Sequence, residues 1–338
     1  MIAFLAAGLT GLALGTFSGL WSTGHSDHLR FVQVLGAPGK TVSRQPLPEL
    51  AMHLVFTQDA NTLITRQLDG QIMAWDRGTG KPELLAHTTG AFAYCASDHR
   101  LVVSNEAAAV SLSLEDGRFE HLAGGHHDHA VFSENCAALA LATSSKPEVQ
   151  LLRSSDVPER LATALPVRNG LSLSPTGDQL AVAGGTMDNT DNVQTTIEIF
   201  DLAPFKPEAR LVSSSQGVVG LWSMQFENSG KGLFLGSHVL GQNGLRRIDP
   251  ASGSIVWGHD GFEGEWVHDL ATAPGGTYLA SGDDKGQLRL WDIETGVMLA
   301  DHNAGQLIQS LAFSPDGTLI AVALWDGTIG IVPLAALL

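Results

Sequence analysis

His121, His126, His127, Asp128 and His129 crowd one short stretch of the chain. Imidazoles and a carboxylate at that density are the donor set that zinc or copper takes. In an extended strand His127 and His129 would point to one side, giving two legs of a metal site with Asp128 between them. The competing reading makes Gly125-His126 a turn that leads into a strand, with solvated neighbours. A second group, Asp188, Asn189, Asp191 and Asn192, offers oxygens of the kind calcium uses. Its spacing is not that of an EF-hand loop and no Glu closes it, so a polar surface loop that meets a partner is the alternative. A third group is aromatic: Trp222, Trp266 and Trp325, with His268 close by in sequence to Trp266. Tryptophan exposed on a rigid surface is a typical binding anchor, and tryptophan between packed elements is a core residue. The chain has no Walker loop, no Gly-x-Ser-x-Gly and no Cys-x-x-Cys-His. Nothing sets nucleophile, base and oxyanion donors at motif spacing, so the expectation is a protein that is not an enzyme and carries no cofactor.

The elements that position these groups come from a repeat of about 43 residues. Its clearest copies run from Leu270 to Ser281 and from Leu311 to Val322, each an apolar strand, a Pro-x-Gly turn and a second apolar strand. Sliding that template back places equivalent turns at Gln58, Ser97, Glu134, Pro175, Asn228, Pro274 and Pro315. Short strands at such a period mean a propeller, here of seven blades. The seventh unit ends soon after its third strand, Ile329 to Val332, and lacks a fourth. Residues 29–36 alternate like a strand and have no place in the first unit, so they are expected to complete the last blade and leave no open edge. In this register Met52, Ala91, Asp128, Asn169, Trp222, His268 and Gln309 ring one mouth of the central channel.

The chain resembles the WD-repeat family over residues 28–338. Ala74-Trp75-Asp76, Leu290-Trp291-Asp292, Ile199-Phe200-Asp201, the Ser-Pro-x-Gly turns at 174–177 and 314–317, and Gly125-His126 and Gly258-His259 carry the likeness. The resemblance implies an all-β, seven-bladed propeller that serves as a rigid platform for protein partners. It also implies a buried His, Ser/Thr, Asp and Trp network in each blade, of which only fragments remain. Asp69 precedes Trp75 without a Gly-His. His259 and Trp291 share a blade, but Lys285 stands at the Asp position. Asp326 is followed by Val332 where Trp is expected. Stability must then come mainly from packing of Val, Leu, Ile and Ala.

A net charge of −16 with scattered basic residues argues against nucleic acid as a partner. Cys95 and Cys136 fall at different registers of neighbouring blades, which predicts two small buried apolar side chains and no disulfide. Residues 1–22 form a separate unit ahead of the propeller at 23–338. Ile2 to Trp21 contain no charge and are long enough for one membrane-spanning helix. Ala3, Ala7, Gly11, Gly15 and Gly19 recur every four residues on one face, a stripe that lets another helix approach closely. Trp21 suits the membrane interface. A cleaved secretory signal is the rival reading, although no Lys or Arg precedes the apolar run. The expected protein is a non-catalytic accessory or scaffold subunit of an integral membrane complex, its propeller extracytoplasmic (periplasmic in a bacterium). The alternatives are a soluble periplasmic propeller that binds metal or ligand through His127, Asp128, His129 and His268, and a cytoplasmic scaffold with the anchor reversed.

Overall fold

The computed structural model describes residues 29, 31–35, 50–153, 158–187, 193–203, 205, 209–217, 219–239, 242–260 and 266–338. Their strands form seven four-stranded antiparallel sheets. The first strand of each is innermost: Ala51–Phe56, Phe92–Cys95, His129–Phe132, Val167–Leu173, Val219–Phe226, Val267–Thr272 and Ile308–Phe313. These inner strands follow one another around a central channel. The expected ring of seven blades is therefore present.

Closure is made as the sequence implies. Gln33–Val34 pairs antiparallel with Ile329–Pro333, Gln33 opposite Ile331 and Val34 opposite Gly330. The regular pairing is shorter than residues 29–36, but Val32 and Leu35 extend it by donating their N–H groups to Ile331 and Ile329 at 2.8 and 2.9 Å. Phe31 lies flat on Gly330, so close that a Cβ there would sit 2.2 Å from its ring. The apolar run at residues 1–22, with Ala7, Gly11, Gly15 and Gly19, lies outside the described residues. So do Asp188, Asn189, Asp191 and Asn192. Among the described residues no helix is long and apolar enough to cross a membrane.

Apolar packing lies between the blades, in seven buried clusters, one for each neighbouring pair. The cluster at the closure joins Leu54, Phe56 and Trp75 of the first blade to Leu35 of the closing strand and Ala321, Ile329 and Ile331 of the last. The family's polar network survives in pieces. Trp75 donates to Thr65 Oγ1 at 3.0 Å and Trp291 to Ser281 Oγ at 2.9 Å. His259 is not in Trp291's sheet, as expected from sequence, but on the outer strand Ile255–Asp260 of the preceding one, its ring 4.6 Å from the indole. The tetrad therefore reaches across an interface. The turn that Lys285 occupies is held by Asp283, which accepts from Lys285 N and Gln287 N at 2.9 and 2.8 Å and pairs with buried Arg289 at 2.6 Å.

All seven turns between first and second strands fall where the repeat places them. Each has a left-handed residue two positions after the aligned one: Ala60, His99 and Cys136 in the first three blades, glycine in the other four. These turns lean on their neighbours. Asn135 donates its backbone N–H to Pro175 O and its side-chain amide to Thr176 O, both at 3.2 Å. That lean corrects the expectation about the cysteines. Cys136, at the turn's left-handed position, reaches Cys95 at the end of the second blade's inner strand, and the two form a disulfide with Cα atoms 5.8 Å apart. Offset registers in sequence become adjacent because the turn of blade three also reaches back over the strand end of blade two.

Blades five to seven are further knitted along the channel. Asp269 accepts from Leu311 N at 2.7 Å, Leu270 N at 2.9 Å, Ser310 Oγ at 3.0 Å and Ser223 Oγ at 3.5 Å. Ser310 Oγ in turn accepts from Leu54 N at 3.2 Å, carrying the link into the first blade. Burial pushes the Asp269 carboxyl up to about 6, against the lowering effect of those four donors.

Two tests follow from this scaffold. Replacing Cys95 and Cys136 by Ala is expected to lower the unfolding free energy by about 2–4 kcal/mol in urea titrations, since the bridge closes a loop of about 40 residues. An unchanged midpoint would show that the bridge does not form. Because the folded state holds the Asp269 proton more tightly than the unfolded chain does, its contribution is full below about pH 4 and is lost as pH rises through about 6. Wild type should therefore gain stability over Asp269→Asn on acidification from pH 7 to pH 4. A pH-independent difference would contradict this.

Candidate functional site

The site is the mouth of the channel where the inner strands begin, on the face that also carries the turns between second and third strands. Its construction is a repeated β-bulge. In blades one, four, five, six and seven the register between first and second strands slips at the top of the inner strand, leaving Met52, Arg168 with Asn169, Trp222, His268 and Gln309 as the extra residues. These are the positions that the repeat register predicts for the mouth. A bulge turns its extra side chain out of the ladder and bends the strand, which is why it suits a binding rim.

The residue after each bulge belongs to one layer around the channel. In blades five to seven that layer is Ser223, Asp269 and Ser310, bonded to one another as above. In blades one to three it is His53, Phe92 and His129. His53 stacks on Phe92, ring centroids 6.2 Å apart and 20° between planes. Arg66 stands directly opposite His53 on the neighbouring strand. Water reaches the His53 ring, yet protein surrounds it on every side, as befits a group in a narrow channel. Burial, with Arg66 and His129 adding to it, takes its pKa down to about 4. His129 is lowered by burial too, against the opposing pull of Asp128 and a hydrogen bond to the Val167 backbone. Both imidazoles are therefore neutral at pH 7. Arg66 Nε and His129 Nε2 are buried and have no hydrogen-bond partner among the described residues.

The expected metal trio is not brought together. The strand begins at His129, and His127 lies in the loop before it, 2% exposed, with its N–H on Ser104 Oγ at 3.0 Å. Asp128 accepts from Ser144 N at 2.6 Å, His126 Nε2 at 2.9 Å and Thr143 Oγ1 at 3.3 Å. Burial raises its pKa, but the Ser144 and His126 contacts win and hold it at about 2. Ligand atoms of His127, Asp128 and His129 do not converge within 4.8 Å. Among the described residues, the donors that do are Cys95, Asp98 and Cys136, whose sulfurs are joined. Beside this loop, the turn at Thr143–Lys146 and Arg168 enclose a cleft of about 470 Å³.

Trp266, His268 and Trp325 do lie on the mouth face, in blades six and seven. Trp266 is clamped by its own backbone: its N–H donates to Asp284 Oδ1 at 2.8 Å, and Asp284 N–H returns to Trp266 O at 3.1 Å. Its side chain is 36% exposed. Trp325 is half-buried on the turn between second and third strands, its N–H on Leu307 O at 2.9 Å. His268 is half-buried, its pKa lowered by burial against the pull of Asp284. Only the backbone of Trp222 is described. Between these groups, blades four and five rise above the rest. Gln179–Met187 and Val193–Asp201 run nine residues each and Val219–Phe226 eight, where strands of blade six run six. Two or three extra residues at about 3.3 Å each make a wall of roughly 7–10 Å.

Sequence reasoning missed His53, Arg66, Phe92 and Arg168. Three of them were within reach: His53 follows Met52, Arg168 precedes Asn169, and Phe92 follows Ala91, all in the rim register. Arg66 is found only through its cross-strand partner.

The family model described as WD domain, G-beta repeat, matches residues 254–292 and 295–331. Among similar proteins, WD repeat-containing protein SL1-17 of Schistosoma mansoni is 31% identical over 148 residues, 43% of this chain and 46% of that protein. Ribosome biogenesis protein BOP1 of Rattus norvegicus is 39% identical over 69 residues, 20% of this chain and 9% of that one. Small ribosomal subunit protein RACK1y of Oryza sativa subsp. japonica is 39% identical over 75 residues, 20% and 21% of the two chains. The matches thus span less than half the length of each relative. A solved chain of Kuenenia stuttgartiensis hydrazine synthase superposes with a TM-score of 0.67 at 15% identity, covering 87% of this chain and 98% of that one, a likeness of fold alone. WD40 repeats are thus matched in the C-terminal part of the chain, and its described strands form a seven-bladed β-propeller.

Proposed function

We propose that the chain is a non-catalytic interaction platform that holds protein partners on its mouth face. The observation that carries this reading is Trp266, a large apolar side chain kept partly exposed on a backbone clamp to Asp284 on the mouth face. Such anchors supply most of the energy of protein interfaces. The hydroxyls and carboxylate with catalytic potential in blades five to seven are spent on one another, which favours a structural role for that half of the channel. Two relatives bear names that place them in assemblies, one in ribosome biogenesis and one in the small ribosomal subunit. That supports the general reading of protein partners.

The finer proposal is an accessory subunit of an integral membrane complex, attached by residues 1–22 and packed helix to helix through Ala7, Gly11, Gly15 and Gly19. Its support is the uncharged run and its four-residue stripe. The Cys95–Cys136 bridge supports an extracytoplasmic propeller, because disulfides persist in oxidising compartments.

Full-length protein purified in mild detergent is expected to bring down a defined set of integral membrane proteins. Leu at positions 7, 11 and 15 should release them, and Trp266→Ala should weaken their recovery by roughly tenfold or more, on the order of 2 kcal/mol. Recovery untouched by both sets of changes, in folded variants, would reject the platform and the anchor together. Loss with only one set would keep that contact and reject the other.

A further inference from the structure

We propose that the channel mouth at blades one to three is a binding site for a small oxyanion, held by the Arg66 guanidinium and the ring N–H groups of His53 and His129. The argument begins from charge. This chain has 35 acidic and 19 basic residues. Among the described residues, the more deeply packed guanidiniums find carboxylates, as in Arg153 with Glu159, Arg210 with Asp201, Arg247 with Glu227 and Arg289 with Asp283. Arg66 has no ion pair and no hydrogen bond among them, although acidic partners outnumber cations almost two to one. Its Nε is fully covered. Leaving a buried donor unsatisfied costs about 1–3 kcal/mol, and more for a charged group. Arg77, Arg100 and Arg210 also have a covered, unpartnered Nε, but each engages a protein oxygen elsewhere on its guanidinium, whereas Arg66 engages none among the described residues and so keeps a place for a negative ligand.

The surroundings specify what fits. Arg66 faces His53 across one ladder rung, and both Arg66 and His129 lie near enough to His53 to act on its charge. His129 Nε2 is a second covered, unpartnered nitrogen. Phe92, stacked on His53, closes one wall with an apolar ring and fixes the imidazole plane. The nearest carboxylate that acts on this group, Asp128, already accepts from Ser144, Thr143 and His126, so it does not fill the role from within. Arg168, exposed at the bulge of blade four, adds a positive charge on the same face. A guanidinium flanked by neutral imidazole donors matches an oxyanion of phosphate, sulfate or carboxylate type, which accepts several N–H groups at once. An anion placed there would also stabilise the protonated imidazoles, raising the His53 pKa from its low position.

The test is thermal unfolding of the whole protein with inorganic phosphate, sulfate or acetate, each against chloride at matched ionic strength. A ligand that binds only the folded state raises the midpoint. The expected result is a midpoint that rises with at least one oxyanion in wild type and stays flat in Arg66→Met. That variant should fold about as well as wild type without anion, because half-buried Arg66 makes no ion pair or hydrogen bond among the described residues. In parallel, the His53 and His129 ring-proton resonances should move with the same oxyanion and saturate. His53→Gln, with Arg66 intact, should weaken the effect severalfold without abolishing it. A flat wild-type response, or an equal rise in Arg66→Met, overturns the proposal. Neither outcome bears on partner capture by Trp266, so the two readings fail separately.

Discussion

Every blade of this protein is a sheet with two apolar faces, and neither face can be buried by the blade itself. That constraint orders the rest of the structure. The answer is a cycle in which each of seven interfaces owns one apolar cluster, so that removing any contact opens a face on two blades at once. The joint between last and first blades is the delicate one, because no short turn ties it. There the chain lays residues 31–35 along the third strand of the last blade and presses Phe31 onto Gly330, where no side chain could be tolerated. The cluster beneath it includes Leu35, so the strand that closes the sheet also fills the core. Edge pairing and apolar burial are thus met by the same few residues.

The polar contacts make sense as additions to that cycle. In a full tetrad the hydrogen bonds would brace a blade internally. Here Trp75 and Trp291 keep their bonds to Thr65 and Ser281, and further bracing lies at the interfaces. His259 reaches Trp291 from the preceding blade, and Asp269 gathers donors from blades five, six and seven. The Cys95–Cys136 bridge does the same between blades two and three. Bonds between blades hold the ring, whereas bonds within a blade would only stiffen what β-ladders already hold.

This also explains which parts were legible in the sequence. Turn geometry is local: a left-handed residue two places after the aligned position needs no tertiary information, and all seven turns fall where the repeat puts them. The bulge register is nearly as local, since it is counted from those turns. The disulfide was not legible, because Cys95 and Cys136 occupy unlike positions in their repeats and meet only where the turn of one blade reaches the strand end of the preceding blade. The histidine stretch misled for a similar reason. His127 and His129 alternate as strand residues would, but the strand starts only at His129, and His127 lies buried in the loop before it with its backbone N–H donated to Ser104 Oγ. Arg66 carries no motif; its meaning depends on what does not surround it, a property of the assembled ring.

The channel layer then divides into two halves with different duties. Ser223, Asp269 and Ser310 satisfy one another and cross-link three blades, so that half is rigid and chemically spent. His53, Phe92 and His129 are not bonded together in that way, and Arg66 beside them is bare. A ring with seven apolar interfaces can carry an unsatisfied cation of this kind, since the penalty falls on one site while cohesion is spread around the circle. Function in such a ring concentrates where neighbours are held by packing alone and polar groups are left over. The proposed oxyanion site has that character, at the mouth of blades one to three on the face that also carries Trp266. A ligand in the mouth and a protein on the rim would therefore share one surface.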